Sequence, residues 1–286
     1  MNSSALPCLR LPAALALLAL GMGGCAMNLN EARPARTLRG GEMQVSQVSN
    51  AVLATRAISV LIDPAESIAR SSAKDGPTTE LTDEQKNQLL VALAATSLQG
   101  VGYATHLEFG VGLGYRLDLH GRFGNGIYGL TLRRGFELEL WDVSYGARLD
   151  YNSGESWIPY FDEGTELLSA AGAAMGLTRF DSQLFTSVGR EWGEWGRLWL
   201  GAKGIMSHYD LTLPGFAFDR GDIHAQDQIW YAGGFLGFAL GFRYVFVLAE
   251  LSVFYSWAEA DLDPPIDRVD LSSLVLVPAW GLRINF

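Results

Sequence analysis

The sequence has few cysteines and few histidines. Of its 286 residues two are cysteines, Cys8 and Cys25, so we expect neither an intrachain disulfide framework nor a cysteine metal cluster. The four histidines are scattered, without a His-Glu-x-x-His motif, so we predict no metal ion and no cofactor. Basic residues are also scarce: 21 Lys and Arg against 31 acidic residues argue against a nucleic-acid partner.

Long apolar runs are missing from most of the chain. Beyond residue 25 no stretch reaches the roughly 18 consecutive apolar residues that a membrane helix needs. Yet 49% of the residues are hydrophobic, and aromatic residues, which strands favour, are plentiful. A hydrophobic soluble protein would show the same percentage, so the residue pattern has to decide.

Residues 1–25 indicate an export signal. A positive charge at Arg10 precedes a short apolar run, and small residues lead up to Cys25. The segment Met-Gly-Gly-Cys that ends at Cys25 resembles a bacterial lipoprotein box. This resemblance implies that Cys25 is lipidated and becomes the mature N-terminus; ordinary cleavage nearby is the alternative. Cys8 is lost with the signal in both cases.

The C-terminal segment alternates between large apolar residues and Gly, Arg or Asn. Successive side chains of a strand point to opposite faces, so this segment has one apolar face and one polar face. A strand between lipid and a polar barrel interior requires this pattern. The apolar set resembles the C-terminal signal by which bacterial outer-membrane β-barrels are passed to their assembly machinery. Its members are Trp280, Leu282, Ile284 and Phe286.

Alternation and turn residues predict ten strands, although the sixth and eighth alternate poorly. An all-β, transmembrane, antiparallel up-and-down barrel of about ten strands follows, since bacterial barrels have even strand numbers. In the fifth strand the apolar parity switches at Trp141 and Asp142, which predicts a β-bulge. The predicted strands are 43–55, 102–114, 117–124, 126–133, 136–152, 183–190, 196–209, 228–240, 243–257 and 274–286.

The connections between these strands differ in length at the two ends. Outer-membrane barrels have short periplasmic turns and longer outside loops. Short connections fall on one side, at 115–116, 134–135, 191–195 and 241–242. Long ones fall on the other, at 56–101, 153–182, 210–227 and 258–273, with one tight turn near Gly124–Gly126. The barrel therefore covers 43–286, and residues 26–42 are predicted as a periplasmic tether that carries the lipid anchor.

The insertion at 56–101 contains a helical pattern between strands one and two. Residues 81–95 predict a helix with Thr82 as N-cap and acidic residues in its first turn. Residues 166–176 fit a short helix or a strand, and a paired strand there would give twelve strands. Either segment could cap the barrel or enter its lumen as a plug; an ordered surface loop is the simpler interpretation.

Charged side chains on the predicted inner face are the only concentrated polar chemistry. Unpaired charge in a confined interior is costly, so opposite signs should pair across strands. Such a network fills and stiffens a narrow barrel; alternatively it lines a small polar pore and sets its selectivity. The predicted members are His106, Glu108, Asp118, His120, Arg122, Lys203, Glu250 and Arg283.

Signs of catalysis are weak. His208 and Asp210 lie two residues apart near a predicted outer rim, as a base and its orienting carboxylate would. The second paired-acid motif of omptin proteases is missing, however, and the alternation turns His208 outward. No histidine has a serine two positions later, as expected of an outer-membrane phospholipase. The acidic loop Asp261–Asp267 lacks the spacing of a calcium loop. We predict no catalytic residue.

The sequence thus predicts a lipid-anchored barrel of the bacterial outer membrane. Its expected partners are outer-membrane lipid, lipopolysaccharide and the barrel assembly machinery. The expected function is structural, or that of a narrow channel for small polar solutes, without catalysis. A barrel enzyme acting on lipid or peptide at the cell surface is the alternative, and a soluble lipocalin-like binder is the third.

Overall fold

The computed structural model describes residues 29–60, 62, 82–124, 126–156, 175–213, 223–260 and 269–286. Strands dominate these ranges, and none of the helices found in them is long and apolar enough to cross a membrane. The elements are β1 (Met43–Ala54), α1 (Asp83–Leu98), β2 (Gly102–Gly114), β3 (Leu117–Gly124), β4 (Ile127–Leu138), β5 (Trp141–Ser156), β6 (Met175–Trp192), β7 (Gly196–Leu213), β8 (Ile223–Phe242), β9 (Val245–Ala260), β10 (Val269–Asp270) and β11 (Ser273–Asn285).

Ten of the strands form one closed antiparallel sheet. From β1 to β9 each strand pairs with the next, β9 also pairs with β11, and β11 returns to β1. The two-residue strand β10 only extends the pairing of β9. Closure leaves no free sheet edge, so the backbone ladder is satisfied within the barrel. The predicted ten-stranded barrel with a helical insertion after β1 is confirmed, and ten strands close the ring without a further pair.

The wall of the barrel has an apolar outside, and its inside is mostly polar on β2–β6 and mostly apolar on β7 and β8. On β2, Leu107 and Phe109 face outward and are exposed, whereas His106 and Glu108 are buried. The poor alternation of β8 has a simple cause: its inner face is also apolar and includes buried Tyr231. Apolar residues therefore occur on both faces of that strand.

Short and long connections separate at the two ends of the barrel. We call the mouth bounded by turns 115–116, 139–140, 193–195 and 243–244 the short-turn end. The opposite mouth, where longer connections such as 55–101 join the strands, is the long-loop end. This is the arrangement that the sequence predicted.

Two hairpins lie later in the chain than predicted, and one of them is the turn between β8 and β9, which is Arg243–Tyr244 rather than 241–242. The turn between β4 and β5 is Glu139–Leu140 rather than 134–135, and Leu138 pairs with Trp141 across it. The apolar parity switches at Trp141 because β5 begins there, directly after the turn. The predicted β-bulge is therefore wrong. Glu139 has a φ of +47°, a turn conformation that Gly or Asn usually signals, so sequence reasoning missed it.

Residues 29–38 run inside the barrel, and we call them the plug. Leu29 packs into an apolar cluster in the long-loop half, and the Leu38 N–H donates to Asp118 Oδ2 at 2.9 Å near the short-turn end. Gly41, with a φ of +84°, then helps the chain turn into β1. The predicted tether at 26–42 is thus wrong for these residues, because their polar groups have buried partners in the wall.

Helix α1 lies at the long-loop end. It begins at Asp83, directly after the predicted N-cap Thr82, and the side chains of its C-terminal half are buried where the structure describes them. The Leu98 carbonyl accepts a hydrogen bond from Arg179 Nη1 at 3.1 Å. Gln99 Nε2 donates to Ser273 Oγ at 3.0 Å. The helix therefore enters the mouth instead of lying on the surface as a loop.

Candidate functional site in the barrel interior

The structure places all eight residues of the predicted charge network inside the barrel, where each is buried. It does not join them into one cluster. Lys203 and Glu250 form a pair between β7 and β9, Arg283 stands apart on β11, and His106 lies on the inner face of β2. The remaining four form a group on β2 and β3: Glu108, Asp118, His120 and Arg122.

His120 lies between two carboxylates. Its Nδ1 is 3.3 Å from Glu108 Oε1, and its Nε2 is 3.2 Å from Asp118 Oδ1. The pairing of β2 with β3 sets the ring over Gly110, where a Cβ atom would come within 2.4 Å of Nδ1. A glycine at this position is therefore what allows the ring to reach both acids.

Glu250 holds the middle of the plug. Its two carboxylate oxygens accept the backbone N–H groups of Glu31 and Ala32, each at 2.7 Å. Ala32 has a φ of +45°, and consecutive N–H groups turned this way form an anion-binding concavity. Trp199 Nε1 donates to the same carboxylate at 3.1 Å, and Lys203 Nζ lies 3.6 Å from it. The buried charge of Glu250 is thus fully surrounded by donors.

Arginines of the wall hold the carbonyl groups of the plug. Arg148 Nη1 donates to the Asn30 carbonyl at 2.8 Å, and Arg133 donates to the carbonyls of Pro34 and Arg36. Arg133 also forms a forked pair with Asp118, with Nη2 to Oδ2 at 2.7 Å and Nε to Oδ1 at 3.1 Å. The wall therefore binds the backbone of the plug at several points.

The two charged side chains of the inner plug complete the network. Arg33 Nε lies 2.8 Å from Glu108 Oε1, and Arg33 Nη2 donates to Thr131 Oγ1 at 3.1 Å. Glu31 accepts a hydrogen bond from Gln183 Nε2 at 3.0 Å and lies 3.4 Å from Arg33. Charged side chains of the plug therefore form ion pairs with charged side chains of the wall, and each would lose partners without the other.

Sequence reasoning missed several members of this interior. Arg133, Arg148 and Asp150 are buried and paired, and the alternation of their own strands would have placed them inside. Glu31 and Arg33 carried no such signal, since the plug forms neither a helix nor a strand.

The other predicted residues lie at the barrel surface or outside the described ranges. Trp280, Leu282 and Phe286 of the C-terminal set face outward and are exposed, and Ile284 is partly exposed. His208 is also exposed on the outer face. Cys25 and the acidic loop 261–267 fall outside the described residues.

Asp270 lies at the long-loop end and is held by a neighbouring residue. The Ser272 N–H donates to Asp270 Oδ1 at 2.8 Å, and this hydrogen bond lowers the pKa of Asp270. Within the described ranges no three His, Cys, Asp or Glu residues are grouped as metal ligands would be.

Comparison with known proteins finds structural likeness only. No protein-family model and no curated protein matches the chain. Similar solved structures include Neisserial surface protein A, the attachment invasion locus protein Ail of Yersinia pestis and the toluene transporter TbuX of Ralstonia pickettii. Their identities are 8%, 10% and 10%, with TM-scores of 0.34, 0.30 and 0.26. The alignments cover 86%, 86% and 94% of this chain and 96%, 99% and 97% of theirs. At this level they say nothing about activity, and the barrel fold is established by the strand pairing itself.

Proposed function

We propose that this protein is a β-barrel of the bacterial outer membrane that is closed at rest and has a structural role. The observation that carries the proposal is the plug, whose backbone is bound by charged residues around the inner wall. Of the two roles expected for a non-enzymatic barrel, an occupied lumen favours the structural one over a standing pore. No catalytic role is proposed.

The outer surface supports a membrane location. Large apolar side chains are exposed on every barrel strand, which water disfavours and lipid accepts. Aromatic pairs flank this surface: Tyr255 with Trp257, and Phe136 with Tyr145 nearer the short-turn end. Aromatic girdles at both boundaries anchor barrels in a bilayer. Outer-membrane lipid, lipopolysaccharide and the assembly machinery remain the proposed partners.

Lipidation of Cys25 remains part of the proposal, but its predicted side does not fit the path of the plug. Leu29, the first described residue, packs in the long-loop half of the barrel. Cys25 precedes it by four positions, about 13 Å of extended chain. With the short-turn end in the periplasm, we therefore propose the anchor on the long-loop side.

Conductance in planar lipid bilayers tests the closed state. We expect wild-type protein to insert without steady current and a variant lacking residues 29–38 to conduct, because its wall keeps polar side chains around an emptied lumen. Heat-modifiable gel migration of both proteins shows that each barrel is folded. Steady current through the wild type would contradict the proposal.

A further inference from the structure

A cavity of about 480 Å³ opens at the short-turn end of the barrel, beneath the lower part of the plug. Its lining is mainly polar and charged. The charged residues that line it are Arg36, Glu42, Glu191, Glu194, Arg197, Arg243 and Arg283. Pro34, Thr37 and Leu38 of the plug also line it, and Arg283 connects it to the plug through the Ala32 carbonyl.

The acidic residues of the cavity that are partly buried already have cationic partners. Glu191 is bound by Arg36 Nη1 at 2.9 Å and by Arg197 Nε at 3.1 Å. Glu42 lies 3.3 Å from Arg36 Nη2. These carboxylates are therefore not available to balance a further cation.

Arg283 lacks such a partner. Among the described residues it is the only buried arginine without a carboxylate oxygen within 4.0 Å. Its Nη2 donates to the Ala32 carbonyl and its Nε lies 3.4 Å from Ser46 Oγ, but Nη1 has no hydrogen-bond partner in the protein. The other five buried arginines each have a carboxylate: Arg33, Arg122, Arg133, Arg148 and Arg179.

A buried guanidinium without an ion-pair partner is costly, and Arg is well suited to hold oxyanions through paired N–H groups. We infer that the cavity is a binding site for a small oxyanion, a phosphate or carboxylate group, held by Arg283 with Arg197 at its rim. The volume exceeds that of inorganic phosphate, so a larger molecule that carries such a group also fits. Because the cavity opens at the short-turn end, the ligand would enter from that side of the barrel.

Isothermal titration calorimetry of the full-length, detergent-solubilised protein with inorganic phosphate tests this inference. We expect saturable binding to the wild type and about tenfold weaker binding to Arg283→Gln, which loses a charge-assisted contact. Arg134→Gln removes an exposed arginine on the outside of β4 and serves as the matched control, with unchanged affinity expected. Titration with acetate and with glycerol phosphate distinguishes the carboxylate and phosphate forms of the ligand, and saturable binding of either supports the site.

Two results would overturn the inference: none of the three anions binds saturably to the wild type, or Arg283→Gln binds them as well as the wild type does. If Arg283→Gln does not fold, as judged by heat-modifiable migration, Arg197→Gln replaces it. A loss of affinity in that variant supports the site, and unchanged affinity rejects it.

Discussion

At the scale of single residues, Glu250 shows how a buried charge is stabilised without a dominant ion pair. Its carboxylate accepts two backbone N–H groups and an indole N–H, and Lys203 lies slightly further away. Hydrogen bonds to a charged group are the strong ones, and losing one partner of a buried set leaves the others unsatisfied. Most of the partners of Glu250 belong to other parts of the chain, so this one residue joins plug and wall.

Replacing Glu250 by Gln should therefore destabilise the protein strongly. The amide keeps the shape but removes the charge and one acceptor, and it leaves Lys203 buried without its ion-pair partner. We expect a loss of about 3–5 kcal/mol in the free energy of unfolding. Equilibrium unfolding in urea, followed by tryptophan fluorescence, measures it.

The matched control is the same change at Glu137. This residue pairs with Arg116 on the exposed surface, where ion pairs contribute about 0–1 kcal/mol. Glu137→Gln should accordingly unfold like the wild type. Equal midpoints for the two variants would show that Glu250 does not hold the plug.

At the scale of elements, alternation predicted the strands because each barrel strand has one face toward the apolar exterior. It failed locally at Glu139–Leu140, where a two-residue turn contains none of the residues that usually mark turns. It failed entirely for the plug. Residues 29–38 have no repeating pattern, and their partners lie on strands distant in sequence, so only the closed barrel reveals the site.

Gly112 of β2 lies beside the segment that leads from the plug into β1. The Gly112 N–H donates to the Glu42 carbonyl at 2.9 Å, and its own carbonyl accepts from the Gly41 N–H at 2.9 Å. A Cβ atom at Gly112 would come within 1.8 Å of the Arg39 carbonyl oxygen. Because that atom belongs to the backbone, no side-chain rotation relieves the clash.

Gly112→Ala should therefore displace the exit of the plug and lower the midpoint of urea unfolding. Gly121→Ala, on the neighbouring strand β3, is the control, since a Cβ atom there meets nothing within 4 Å. We expect the control to match the wild type, apart from the small propensity gain of Ala over Gly. The prediction fails if both variants unfold at the same urea concentration.

At the scale of the whole molecule, plug and barrel form one electrostatic unit. Removing the plug would leave Glu250, Arg133 and Arg148 without the backbone groups that they bind now. Charged groups that face an emptied lumen would be solvated by water, so the barrel would exchange a closed interior for a wet one. The barrel is therefore closed because the plug occupies its lumen, and the same segment can be added as a separate peptide.

A synthetic peptide of residues 29–38 should accordingly close the barrel that lacks this segment. Many of its contacts with the wall are made by backbone atoms, so the peptide carries the groups that Glu250, Arg133 and Arg148 recognise. Bilayer recordings of the shortened barrel should show conductance that falls as the peptide is added.

The control peptide carries Ala32→Pro. Proline has no N–H to donate to Glu250, and its φ near −65° is incompatible with the +45° of Ala32. Closure by the native peptide and continued current with the proline peptide would assign the effect to the Glu250 contact. Equal block by both would mean that any cationic peptide obstructs the pore, and the specific fit of the plug would be disproved.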